Sequence, residues 1–150
     1  MIEIYALCLM PNHFHLLIRQ KIDKGISLFM SQLLNSYTRY FNTAHKRVGS
    51  LFLDQFKAVR IETDEQLVHV SRYIHLNPYT SYVVEDIESI FSYPWSSLSE
   101  YLNERIEGLC QQREILTFFG GKRNAYRKFL LDQAEYQREL GMIKHLMMDD

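Results

Sequence analysis

From Ile2 to Met10 the chain is almost continuously apolar, and after Pro11-Asn12 a second such run extends from His13 to Arg19. Two apolar runs about a turn signal predict two strands joined as a hairpin. From Ile26 the period changes. Ile26, Phe29, Met30, Leu33, Tyr37, Tyr40 and Phe41 recur at three-to-four spacing, which predicts an amphipathic helix of about five turns with this stripe against the core. It should end near His45-Lys46-Arg47, where basic residues suit the negative end of the helix dipole, with Gly49 just beyond. Between Leu51 and Glu62 the pattern alternates again, Val59 and Ile61 against Ala58, Arg60 and Glu62, and reads as extended.

Thr63 followed by Gln66 fits a capping box, and Asp64 and Glu65 favour the positive end of a second helix. Pro78 predicts its stop just after Asn77. Residues 83 to 95 read as an irregular connection into Trp95. Short helices are expected over Ser96 to Glu104 and Arg113 to Phe119, and a longer one from Arg123 to about Leu140, after Gly120-Gly121. The order strand, strand, helix, strand, helix and helical tail predicts an α+β fold with a mostly antiparallel sheet.

Composition narrows this picture. The chain has 150 residues, a length suited to one domain with a real core, here 1–103 with a helical extension over 104–150. Two cysteines, Cys8 and Cys110, are too few for a disulfide framework and fit free thiols in a reducing compartment. No basic n-region precedes the first apolar run, and no run nears the ~20 residues of a membrane span, so a soluble cytoplasmic protein is expected. The net charge of −1 hides a split. Residues 1–80 hold nine Lys and Arg against six Asp and Glu, and the remainder eight against twelve. The mildly basic front half has room for a phosphate-contacting face.

The candidate chemistry begins in MPNHFHLLI. In a strand, successive side chains point to opposite faces, so His13 and His15 share one face and Phe14, Leu16 and Ile18 the other, which can go to the core. Two neutral imidazoles so placed can hold one divalent cation, given a third ligand from elsewhere. Taken alone, a His-x-His pair is more often an ordinary strand surface or a hydrogen-bonded pair than a metal site. In RYIHLNPY, residues four apart stack on one helix face, placing His69, Tyr73 and Asn77 in a line beside the stripe of Leu67, Val70 and Ile74. An Asn before a proline can also simply tidy a helix end, and a Tyr beside a core stripe can simply pack.

Taken together, MPNHFHLL, SYTRYFN, GSLFLDQFKAVRIE, RYIHLNP and YPWSS resemble, in order and spacing, the single-tyrosine HUH transposases, and among them the repeat-associated tyrosine transposases. The resemblance implies a ferredoxin/RRM-like antiparallel sheet with helices on one face. It implies His13, His15 and Asn77 as ligands of Mg²⁺ or Mn²⁺ and Tyr73 as the nucleophile that cuts single-stranded or hairpin DNA at palindromic repeats, leaving a 5′-phosphotyrosine. Members of that family ordinarily carry a further strand and helix before the segment matching Ile2. A sheet lacking them would have an open edge, which invites homodimerisation by strand pairing, or would belong to an inactive relative that only binds hairpins.

Candidate phosphate contacts are Arg39, Lys46, Arg47, Lys57, Arg60 and Arg72, with Lys122 and Arg123 in the tail beside Arg127 and Lys128. Tyr37 and Tyr40 offer stacking faces, although their place on the apolar stripe favours packing, and packing is also expected of Tyr93 and Trp95.

Overall fold

The computed structural model describes residues 1–53 and 55–148, with side chains as far as Met142. Strand β1 (Ile2–Leu9) and strand β2 (Phe14–Gln20) form a two-stranded antiparallel sheet. The turn between them is closed by the Met10 N–H donating to the His13 carbonyl at 2.8 Å. The long helix α1 (Gly25–Ala44) and helix α2 (Asp64–Thr80) follow, then a 3₁₀ turn at Ile87–Ser92 and four helices: α3 (Leu98–Leu102), α4 (Gln112–Thr117), α5 (Arg123–Leu131) and α6 (Ala134–Met148). The fold is α+β, as the alternation of periods predicts. Among the described residues no helix is long and apolar enough to cross a membrane.

Contacts divide the chain into two compact units. One comprises Met1–Glu3 and Arg19–Ile61, the other Ile4–Ile18 and Glu62–Asp150. In the first, α1 starts hard against the chain terminus, since a Cβ on Gly25 would come within 2.7 Å of the Met1 carbonyl oxygen. Arg19 and Lys21 both pair with Glu3, at 2.7 and 3.4 Å. The predicted apolar stripe of α1 is present, but only Met30 of it is buried, and Leu33, Tyr37 and Tyr40 are exposed. Leu51 to Glu62, expected as a strand, forms none among its described residues, of which Asp54 is not one. Alternation needs a neighbouring strand to become a ladder, and this segment pairs with none.

The second unit holds most of the core. The outer edge of β1 is covered by returning chain: the Leu9 N–H donates to the Trp95 carbonyl, the Ser97 N–H to Leu7 and the Gln111 N–H to Ile4. In the central part of β2 the buried side chain is Leu17, while Phe14, Leu16 and Ile18 are half-buried. Core contact is therefore not confined to the expected face of that strand, because Leu17 shares its face with the histidines. Cys8 and Cys110 are buried free thiols, each pushed up to about 12 by burial.

Helix α2 begins as predicted. Thr63 Oγ1 accepts from the Gln66 N–H at 3.1 Å, and Gln66 Oε1 accepts from the Thr63 N–H at 3.3 Å. It does not stop at Pro78, which lies inside the helix, and the chain turns only after Thr80. So close to the end the missing proline N–H removes a single bond, and the Pro78 carbonyl is satisfied by the N–H groups of Val83 and Val84 at 2.9 and 3.0 Å. Burial of Ile74, Leu76 and Tyr79 outweighs that one loss.

Helices α5 and α6 both pack on α2. The single long helix expected from Arg123 is broken at Asp132, whose N–H closes α5 on the Lys128 carbonyl at 2.9 Å. The break lets α6 cross α2 closely, where a Cβ on Gly141 would meet the Thr80 carbonyl oxygen at 2.9 Å. At the centre of the packing His75 is fully buried, its Nδ1 2.7 Å from the Tyr126 hydroxyl and its Nε2 2.8 Å from Ser97 Oγ. Burial pushes this imidazole down to about 3.

Candidate active site

From Ser71 to Thr80, nine of ten residues in α2 are buried, and the exception is Tyr73, 46% exposed. Burial on almost every side keeps the helix from rotating, so the tyrosine projects from a fixed support. Its ring lies 5.5 Å from that of His15, edge-on at 80°. The His15 and His13 rings are 5.0 Å apart and perpendicular. The structure thus brings His13, His15 and Tyr73 into one cluster within a single compact unit.

The hydrogen bonding of the two histidines suits ligation. His13 is exposed, with Nδ1 2.7 Å from Asn12 Oδ1. An amide oxygen only accepts, so Nδ1 is the donor, the arrangement by which a hydrogen-bonded outer partner orients an imidazole whose other nitrogen faces a metal. His15 is half-buried. Burial, and secondarily the neighbouring His13, lowers its pKa and keeps it neutral at pH 7. Its Nε2 is a buried atom without a hydrogen-bond partner, and such atoms are rare enough to call for an explanation. A cation is one partner that would satisfy it.

Asn77 lies one turn beyond Tyr73 and is buried, with Oδ1 accepting from Ser81 Oγ at 3.2 Å. Its amide oxygen is therefore directed to the helix end. Among the described residues no three of His, Cys, Asp and Glu gather as a metal cluster, so a third protein ligand here would have to be of another type, such as this amide.

His69, in line with Tyr73, is exposed and takes an Arg72 N–H on Nδ1 at 2.9 Å. Arg72 itself is buried, its guanidinium 4.1 Å above the Phe129 ring and 3.4 Å from the Phe129 carbonyl, and burial lowers its pKa. It is occupied in holding α5 to α2. Arg123 is similarly engaged, donating to the carbonyls of Glu100 and Tyr101 at 2.8 and 2.9 Å. Arg39, Lys46, Lys57, Arg60 and Lys122 are exposed, and Arg47 is half-buried. Tyr93 packs, with its hydroxyl on the Leu9 carbonyl at 2.7 Å, but Trp95 is 59% exposed, against the expectation of packing.

Sequence reasoning missed Asn12 and His75. Asn12 reads as a turn residue, and only its position beside His13 could have suggested an orienting role. His75 carries no signal beyond its place next to Ile74 on the buried side of α2.

The family model for IS200-like transposases matches residues 1–77, from the first strand through His13, His15 and Tyr73 to Asn77. The chain belongs to this family, and with it to the DNA-processing proteins of the transposase class, whose partner is DNA. No curated protein and no solved structure matches the chain.

Proposed function

We propose that the chain is a single-tyrosine strand transferase of the repeat-associated type, cutting and rejoining single-stranded or hairpin DNA at palindromic repeats in the cytoplasm. Tyr73 is the nucleophile, and His13, His15 and Asn77 hold Mg²⁺ or Mn²⁺. The observation that carries this reading is the exposed Tyr73 ring set against a histidine whose Nε2 has no other partner. Two imidazole nitrogens and an amide oxygen form a mixed donor set able to hold a divalent cation. When bound, the cation polarises the scissile phosphate and offsets the charge that builds on it.

The chain's own residues do the rest. The Tyr73 hydroxyl oxygen attacks phosphorus in line, the bond from phosphorus to the 3′-oxygen breaks, and the 5′-phosphate remains esterified to the ring. The phenolic proton passes to solvent, which reaches the half-exposed ring, and the departing 3′-oxygen gains one. One diester replaces another, so a 3′-OH can later attack the phosphotyrosine and reseal the strand without a nucleotide cofactor. Helix α2, held by α5 and α6, keeps the nucleophile from drifting between the two steps.

A second reading, a relative that binds hairpins without cutting, draws support from Asn77, whose amide oxygen already accepts from Ser81 and is turned toward the helix end. Labelled hairpin DNA incubated with Mn²⁺ separates the two. The transferase yields a protein–DNA adduct that survives denaturation and is lost in Tyr73→Phe; His13→Ala and His15→Ala also lose it but still bind the hairpin. Binding without any adduct selects the second reading, and neither adduct nor binding would sink both.

A further inference from the structure

In the unit formed by Met1–Glu3 and Arg19–Ile61, charge is distributed one-sidedly. Its sequence holds eight Lys and Arg against three Asp and Glu, a net of +5, whereas the other unit holds nine against fifteen, a net of −6. No acidic residue occurs anywhere from Lys24 to Leu53, a stretch that includes all of α1. The stretch carries four cations, Lys24, Arg39, Lys46 and Arg47, a net of +4 that favours a polyanion as its neighbour.

On the same helix Tyr37 and Tyr40, a turn apart, are 47% and 69% exposed. Their ring centroids lie 6.2 Å from each other, and Phe52 extends the row at 6.0 Å from Tyr37. Arg39 is exposed on the same helix and Lys46 just beyond its end. Arg47 is fixed by Asn42 Oδ1 at 2.6 Å and by the Ser50 carbonyl at 3.2 Å. Aromatic faces left in water on a stretch of net positive charge combine the two things a single strand needs. Its bases have π-faces to stack, and its phosphates need countercharge. The tyrosine rings are tilted by 40°, so they form no parallel slot, and a base would rest on each exposed face.

We propose that the Tyr37, Tyr40 and Phe52 row is a sequence-tolerant stacking platform for unpaired DNA bases, with Arg39, Lys46 and Arg47 neutralising the adjoining phosphates. The choice of DNA rather than another polyanion rests on the transferase reading; the platform itself rests on the charge and the rings.

The test uses the full chain carrying Tyr73→Phe, so that covalent capture cannot contribute, and measures anisotropy of a labelled 20-nucleotide oligo(dT). Adding Tyr40→Ala should weaken binding roughly tenfold, and Tyr40→Trp should restore it, because stacking on one ring contributes about that much. The dependence on salt should stay unchanged, since no charge is removed. Affinity for a blunt duplex, whose bases are already stacked, should also stay unchanged. Equal oligo(dT) affinity with and without Tyr40 and Tyr37 would overturn the proposal, as would tighter binding of oligo(U) through the same rings. So would a self-association, seen by sedimentation, that the two alanines abolish while leaving oligo(dT) affinity intact. Adduct formation by the chain with native Tyr73 is scored separately, so either reading can fail while the other stands.

Discussion

Tyr101 and Tyr126, in the unit that contains α2, are completely buried, and burial pushes both phenols well above the ordinary tyrosine range. Their hydroxyls serve the fold: Tyr101 donates to the Tyr5 carbonyl, and Tyr126 meets His75 and donates to Ser71 Oγ at 3.1 Å. In the other unit Tyr37 and Tyr40 stand in solvent on α1. The same residue type thus builds a core in one place and a surface in the other. The difference follows from size and partners. A unit of fewer than fifty residues cannot bury much of what its helix offers, whereas α2 is surrounded by the 3₁₀ turn, α5 and α6. What the second unit leaves exposed on α2 is therefore selective, and Tyr73 stands out.

The comparison breaks most sharply if the tyrosines are interchangeable in chemistry. Tyr73→Phe should reduce adduct formation on hairpin DNA to background, and Tyr40→Phe should leave it at the level of the parent, both read on a denaturing gel. A weaker test addresses what holds α2. His75→Ala removes a buried ring and leaves Ser97 and Tyr126 without their partner, so urea unfolding should show a loss of about 3 kcal/mol.

His75 also predicts a pH dependence. Its folded pKa of about 3 lies below the unfolded value near 6.5, so as pH falls through 6.5 the unfolded chain takes up a proton that the folded chain refuses. Stability is fully present above pH 6.5 and declines down to about pH 3, and between pH 7 and 5 the loss should be roughly 2 kcal/mol. In His75→Gln that dependence should shrink. The smallest effect separates two arginines. Arg39→Ala should lower the magnitude of the salt slope of oligo(dT) binding by about 0.7, as one phosphate contact to a single strand contributes. Arg72→Ala should leave the slope unchanged and show its effect in unfolding instead.

The hairpin, the five-turn helix and the Thr63–Gln66 capping box were legible because each is decided locally, by turn residues, by period and by a side chain three residues from its donor. What failed depended on distant chain. Pro78 reads as a terminator until the packing of Tyr79 and the acceptance of two N–H groups by its carbonyl are known. The alternation at Val59 and Ile61 is real, but among the described residues the segment forms no strand. Periodicity identified the apolar face of α1 correctly, yet a periodic pattern cannot say whether anything covers that face. In β2 it identified two faces and could not rank them, and Leu17 decides for the histidine side. At the candidate site the sequence offered Tyr73 and the histidines as partners, and their rings do lie within 5.0 to 5.5 Å of one another along the cluster. It could not foresee that Ser81 would take the Asn77 amide oxygen.

The unit that carries the candidate site is discontinuous: Ile4–Ile18 supplies the histidines, and the chain leaves for more than forty residues before Glu62 resumes it with the tyrosine helix. The two segments meet through packing, so their covalent connection is dispensable in principle. Trypsin acting at exposed Lys57 or Arg60 would give a nicked, two-piece protein with the histidines on one fragment and Tyr73 on the other. If the chain cuts as proposed, such fragments would be inert apart, and adduct formation after mixing would report their reassembly.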